Sequence, residues 1–289
     1  TFFFSNLSTV FPCTLSALTL VPSEYSTPDT EVLHLRKIHR TTAQYDYLYL
    51  GDNARAPYGT RSFEVVYDFT LQAVKKLFEL GCPLVILACN TASAKALRSI
   101  QQNDLPHMDP TRRVLGVIRP TVECIGEITR NAQGLLATAG TVRSESYPLE
   151  IKKIFPDIQV TGMACPMWVP LVENKEYDGD GADYFVKKYI DTILQKDPDI
   201  DTLILAVRTI PASAKDTAVH PLAHPTGKQG EYVSESLKDY LSRHPDMDAR
   251  CSKNKRREFL TTESVEKFRE SASVFLHCTD VHVRNVQLE

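Results

Sequence analysis

From Tyr45 onward, short apolar runs alternate with longer stretches in which apolar residues recur at helical spacing. That alternation predicts βαβ units and a mainly parallel sheet. Residues 45–50 read as a strand. Residues 61–80 read as a helix, because Val65, Val66, Phe69, Ala73 and Leu77 share one face, and Gly81 supplies a C-terminal cap. The run Leu84-Val85-Ile86-Leu87-Ala88 predicts a buried strand, followed by a helix over 92–102 and a strand over 114–118. Further strands are expected over 134–137, 158–161 and 202–205, with helices over 122–130, 144–154 and 182–195. Two doubly wound α/β halves fit that order. Helical patterns at 231–241 and 264–276 then return the end of the chain to the first half. The expected division is 1–117 plus 229–289 for a first α/β domain and 118–228 for a second.

Composition narrows the setting. With 289 residues, 43% of them hydrophobic, the chain can bury two cores of ordinary size. A formal charge of −3 leaves no electrostatic footprint for nucleic acid or an anionic membrane, so the expected partner is a small molecule. Seven cysteines, odd in number and without a CxxC pair, point to a reducing, cytoplasmic compartment. Residues 2–20 are fairly apolar and Asn6-Leu7-Ser8 forms a glycosylation sequon. No basic leading region or membrane-length apolar stretch accompanies them, so neither secretion nor membrane insertion is expected.

Cys89 carries the candidate chemistry. It ends the apolar run 84–88 and opens the polar turn Cys89-Asn90-Thr91-Ala92-Ser93, at the carboxyl end of a strand and ahead of a helix. Ligands of open α/β sheets collect beyond the carboxyl ends of the strands. A free thiol is also a common buried hydrophobe, so packing alone is the competing reading.

The neighbouring motifs extend the pattern. Gly51-Asp52-Asn53-Ala54-Arg55-Ala56-Pro57-Tyr58-Gly59, Ala88-Cys89-Asn90-Thr91-Ala92-Ser93, Ala137-Thr138-Ala139-Gly140-Thr141 and Ala164-Cys165-Pro166 occur in that order. In this order they resemble the motifs of glutamate racemases, over about 45–205 and again over about 229–276. The resemblance implies two similar doubly wound domains with mainly parallel sheets facing each other across a cleft. It also implies cofactor-independent interconversion of L- and D-glutamate for peptidoglycan synthesis, and a homodimer. Inversion at an α-carbon takes a proton from one face and returns one to the other, so a thiolate and a thiol must flank the substrate. By this resemblance Cys89 is one base, and Asn90 and Thr91 bind substrate beside it. Backbone donors of Tyr58 and Gly59 meet a carboxylate, and Thr138 or Thr141 supplies a hydroxyl from the second domain. Outside that set, Tyr58-Gly59 reads as turn chemistry and Thr138 as a helix cap. Cys165, Cys82 and Cys124 read as packing.

Two motifs of the family are missing as written. Glutamate racemases carry an amino-terminal strand ending in Asp-Ser-Gly, whereas residues 20–32 read Leu-Val-Pro-Ser-Glu-Tyr-Ser-Thr-Pro-Asp-Thr-Glu-Val. The second catalytic cysteine belongs to Gly-Cys-Thr-His-Tyr-Pro, whereas Ala206-Val207-Arg208-Thr209-Ile210-Pro211 stands in its place. Codons for both stretches, read from the third base of the preceding codon, permit the family motifs. Two local reading-frame shifts, in the gene or its sequencing, are therefore the expected origin. As written, the second base is absent, 206–228 is aberrant, and Pro22 and Pro28 remove backbone donors from the first strand.

Other signals carry less. His220 and His224 are separated by Pro221, and His277, Cys278, Asp280 and His282 form no coherent ligand set, so no metal is expected. The basic run 253–257 reads as a solvated loop. Two other functions compete: a one-thiol decarboxylase-like enzyme of the same superfamily, and a catalytically dead fold that binds an amino acid or a protein.

Overall fold

The computed structural model describes residues 42–124, 129–174, 176, 179–206, 223–224, 229–269 and 282–289. Strand β1 (Tyr47–Gly51) leads through the loop 52–62 into helix α1 (Phe63–Glu79). Ser62 caps α1 by accepting the Val65 amide at 3.3 Å. Val66, Thr70, Ala73, Val74 and Leu77 form its buried stripe. Gly81 ends it at φ 91°, a left-handed geometry that glycine adopts without penalty, and Cys82 N–H returns to the Leu77 carbonyl at 3.0 Å.

Strand β2 (Leu84–Leu87) follows, then helix α2 (Asn90–Lys95), extended by further helical turns through Ile100–Asp104 to Met108. Strand β3 (Arg113–Gly116) and helix α3 (Ile118–Glu123) come next. The helix starts four residues ahead of the expected 122 because Ile118 and Val122, one turn apart, are both buried.

The following strands are β4 (Ala132–Ala137), β5 (Gln159–Ala164), β6 (Ile200–Leu205) and the two-residue β7 (Ala223–His224). Between them lie α4 (Ala139–Arg143), α5 (Ser146–Ile154), α6 (Trp168–Glu173) and α7 (Asp180–Lys196). The chain closes with α8 (Gln229–Arg243), α9 (Pro245–Arg250), β8 (Arg257–Thr261) and β9 (Val283–Asn285).

Among the described residues all strand pairings are parallel, in the orders β1-β8-β9, β2-β3 and β5-β4-β6-β7. Buried parallel strands send alternate residues to two cores. Leu48 and Leu50 of β1 and Val85 and Leu87 of β2 pack with α1, while Tyr47, Tyr49, Leu84 and Ile86 pack with Val233 and Leu237 of α8. The two short sheets therefore share one layer. In the second domain Leu136 and Leu203 face Ile190 and Ile193 of α7, and Leu135 and Ile204 face Tyr147 and Ile151 of α5. Core membership changes between Val117 and Ile118.

The run 253–257 is an exposed loop over 253–256, as expected, and its last residue, Arg257, opens β8. Its turn is organised by the buried carboxylate of Asp46, which accepts Ser252 Oγ, Asn254 Nδ2 at 2.7 Å and the amides of Asn254 at 3.0 Å and Arg256 at 2.7 Å. Burial alone raises this carboxyl, but those donors outweigh it and hold it below the ordinary carboxylate value. The unexpected strand β8 is thus docked on β1, with Tyr47 opposite Arg257 and Gly51 opposite Thr261. Residues 20–32, Val207, Arg208, His220, His277, Cys278 and Asp280 lie outside the described residues.

Candidate active site

Four connections meet at the carboxyl edges of the sheets: the loop after β1, the turn between β2 and α2, the turn between β4 and α4, and the exit from β6. Cys89 sits at the N-cap of α2 in extended backbone (φ −84°, ψ 128°), and its Sγ accepts the Ala92 amide at 3.4 Å. One backbone N–H of the helix start thus points at the sulfur. The residue is only 2% exposed and shares a core cluster with Tyr58.

Thr91, Thr138 and Thr141 form a closed triangle of hydroxyls. Each pair of Oγ1 atoms is 3.2 Å apart, and all three residues are buried. Thr91 comes from the first domain. Thr138 and Thr141 come from the second, where Thr138 caps α4 by accepting the Thr141 amide at 3.3 Å. Sequence reasoning left Thr138 and Thr141 as alternatives; the structure brings both to Thr91. Rotatable hydroxyls so gathered can donate to a carboxylate.

Tyr58 and Gly59 occupy the loop opposite. Tyr58 is fully buried and donates its OH to Asp52 Oδ2 at 2.6 Å, which also accepts Arg55 Nε at 2.6 Å, while Asp52 Oδ1 accepts Thr262 Oγ1 at 2.9 Å. Burial first, then the Asp52 charge, raises the Tyr58 phenol well above its ordinary value, so it stays neutral. The Ala56–Pro57 peptide in this loop is cis. Gly59 offers its carbonyl to the Gly140 amide at 3.0 Å, tying the loop to the second domain. A Cβ on Gly140 would lie 2.8 Å from that carbonyl oxygen and 2.9 Å from Lys95 Nζ, so only glycine permits the approach. Lys95, itself buried, donates to the Arg61 carbonyl at 2.6 Å and grips the same loop from α2.

Asn90 spans the seam between the domains. Its Nδ2 donates to the Ala206 carbonyl at 3.0 Å, and its Oδ1 accepts Tyr147 OH at 2.9 Å. Asp52, Lys95 and Tyr147 were not singled out from sequence, and Ala206 was named only as the start of the stretch that replaces the second cysteine motif. Asp52 lay within the quoted loop motif, and Tyr147 reads as a helix core residue.

No family model matches the chain. Over 245 residues it is 35% identical to a glutamate racemase of Roseobacter denitrificans, covering 80% of this chain and 87% of the relative. The chain belongs to the glutamate racemase family. A glutamate racemase of Lactococcus lactis subsp. cremoris is 31% identical over 262 residues, covering 88% and 91% of the two chains. The solved glutamate racemase of Francisella tularensis subsp. tularensis, in complex with D-glutamate, superposes with a TM-score of 0.79 at 25% identity. It covers 96% of this chain and 98% of its own. A glutamate racemase isoform from Bacillus anthracis gives the same score and identity.

Two other described thiols of this racemase fold, Cys165 and Cys82, lie in the two domain cores. Cys165 is fully buried beside Trp168, and burial pushes its thiol far up. Cys82 is likewise fully buried against α1. Among the described residues, no group of three or more His, Cys, Asp or Glu is placed to hold a metal ion. Among them, too, no helix is long and apolar enough to cross a membrane.

Proposed function

We propose that this chain binds glutamate at the domain seam and moves its α-proton through Cys89 without a cofactor. The observation that carries the reading is the capped position of Cys89, next to a cross-domain triangle of threonine hydroxyls. In this mechanism the thiolate Sγ takes the α-proton and the electron pair spreads into the α-carboxylate. Hydroxyls of Thr91, Thr138 and Thr141, with Asn90 beside them, stabilise that developing charge by donating to the carboxylate oxygens. Tyr58 and Gly59 shape the opposing wall. The reading is supported by family membership and by the D-glutamate complex of the Francisella relative.

Inversion needs a second proton donor on the far face. No cysteine stands between Cys165 and Cys251, so the segment after β6 supplies no thiol as written. The chain as written therefore exchanges the α-proton on one face with little or no interconversion. Peptidoglycan supply, a cytoplasmic setting and a homodimeric state belong to the same proposal and rest on the family.

Alkylation of Cys89 tests it, with the labelled thiol read by mass spectrometry. Glutamate is expected to protect Cys89, and Val207→Cys with Arg208→Thr is expected to give interconversion of the enantiomers visible by circular dichroism. Alkylation indifferent to both enantiomers, together with no gain in the repaired chain, would overturn the reading.

A further inference from the structure

We propose that Tyr147 is a positioning residue for proton transfer, acting through Asn90 to hold the Cys89 turn at a fixed distance from the end of β6. The proposal rests on the reading of Cys89 as the base.

Tyr147 lies in the first turn of α5, fully buried in the second domain's core. Its OH donates to Asn90 Oδ1 at 2.9 Å, and Asn90 Nδ2 donates to the Ala206 carbonyl at 3.0 Å. Ala206 is in turn fixed to β4 by its amide, which donates to the Leu136 carbonyl at 2.8 Å. Asn90 directly follows Cys89 and is the first residue of α2. One side-chain amide is thus held at both ends by the second domain, while its backbone carries the thiol.

The orientation of that amide has one solution. With Nδ2 on the Ala206 carbonyl, Oδ1 faces the tyrosine hydroxyl; the reverse setting would turn Oδ1 against a carbonyl oxygen. Removing the hydroxyl takes away this donor to Oδ1 and loosens the hold of α5 on the amide. Since β6 ends where the opposite face of the site must be served, the chain Tyr147–Asn90–Ala206 sets the gap between the two faces. Misplacing a reacting group by a fraction of an ångström weakens proton transfer while leaving binding largely intact.

A neighbouring contact provides the control. Ser146 Oγ donates to the Ala94 carbonyl at 2.7 Å, so α5 also docks on α2 through a bond that leaves Asn90 untouched. Ser146→Ala also removes one hydroxyl hydrogen bond between α5 and α2, part-buried and made to a backbone carbonyl, where that of Tyr147 is buried and made to a side chain. A purely structural role predicts that exchange and affinity fall together in each variant, whereas positioning predicts a loss of exchange alone in Tyr147→Phe.

The experiment measures, in the full chain, α-proton exchange of glutamate in D2O, glutamate affinity by calorimetry, and the alkylation rate of Cys89. Tyr147→Phe is expected to slow exchange about tenfold or more while affinity changes less than about threefold, and Ser146→Ala to leave exchange within about twofold. Asn90→Ala is expected to slow exchange as well, and the double variant Tyr147→Phe/Asn90→Ala to be no slower than Asn90→Ala, because the two act in series. Unchanged exchange in Tyr147→Phe, an equal loss in Ser146→Ala, or additive losses in the double variant would overturn the proposal. Absence of exchange in the unaltered chain would instead mark failure of the reading of Cys89. In that case alkylation reads the hold on the turn alone: a rise of about fivefold or more in Tyr147→Phe but not in Ser146→Ala shows that Tyr147 fixes the Cys89 turn, and equal rates overturn the proposal.

Discussion

A cysteine at an N-cap serves the helix and the chemistry with the same atom, and substitution separates the two. Serine caps a helix at least as well but offers no thiolate. Cys89→Ser is expected to keep the melting temperature while α-proton exchange falls by about 10²–10⁴-fold. Cys89→Ala is expected to lose the exchange and about 1 kcal/mol of stability, read by urea unfolding. Asp52 is the other decisive single residue, because Tyr58, Arg55 and Thr262 all donate to it in a buried setting. Asp52→Ala leaves those donors unanswered and is expected to cost about 2 kcal/mol. It is also expected to weaken glutamate binding about tenfold by releasing the Tyr58-Gly59 wall, as calorimetry would show. The turn Cys89-Asn90-Thr91 was legible as a strand end leading into a helix, because a polar turn follows an apolar run. Tyr147 was not, because Asn90 lies 57 residues away, and Asp52 was visible only as part of its loop motif, with Arg55 and Tyr58 three and six residues on but Thr262 at a separation of 210.

Among the elements, strands with continuous apolar runs and helices with a clear stripe were read within a few residues. β2 and α1 are the plain cases. β8 was missed because Arg257-Glu258-Phe259-Leu260-Thr261 is half polar and follows a basic run, and its place is set by Asp46 and by pairing with β1 rather than by periodicity. The short helices α4 and α9 span too few turns to show a period. Asp46 gives the docking of β8 a pH dependence. Its carboxyl is held below the ordinary value, so its contribution is present above the unfolded carboxyl value near 4 and is lost as pH falls through the lower folded value. Asp46→Ala is expected to lose about 2 kcal/mol at neutral pH, a deficit that shrinks in acid below pH about 4, in urea titrations at a series of pH values. At the seam, Gly140→Ala forces a Cβ against the Gly59 carbonyl and is expected to lower both stability and glutamate affinity.

For the whole molecule, the alternation of strand and helix disclosed the doubly wound architecture, and four ordered motifs disclosed the family. What escaped was the seam: the threonine triangle, the Gly59–Gly140 bond and the Asn90 bridge arise only when two domains meet. The molecule also has an alkaline limit. Burial pushes the Tyr47 phenol up to about 12 and that of Tyr58 well above the ordinary value near 10. Both favour the folded state below pH 10, and that contribution drains away as pH rises through their folded values, because the unfolded chain then releases protons that the folded chain retains. Deuterium uptake at the α-carbon of D- and L-glutamate in D2O, followed by proton NMR, tests the central assignment most directly. The account predicts uptake into one enantiomer with the chain as written, little interconversion, and loss of uptake in Cys89→Ser. Uptake into neither enantiomer, or uptake that persists in Cys89→Ser, would contradict it.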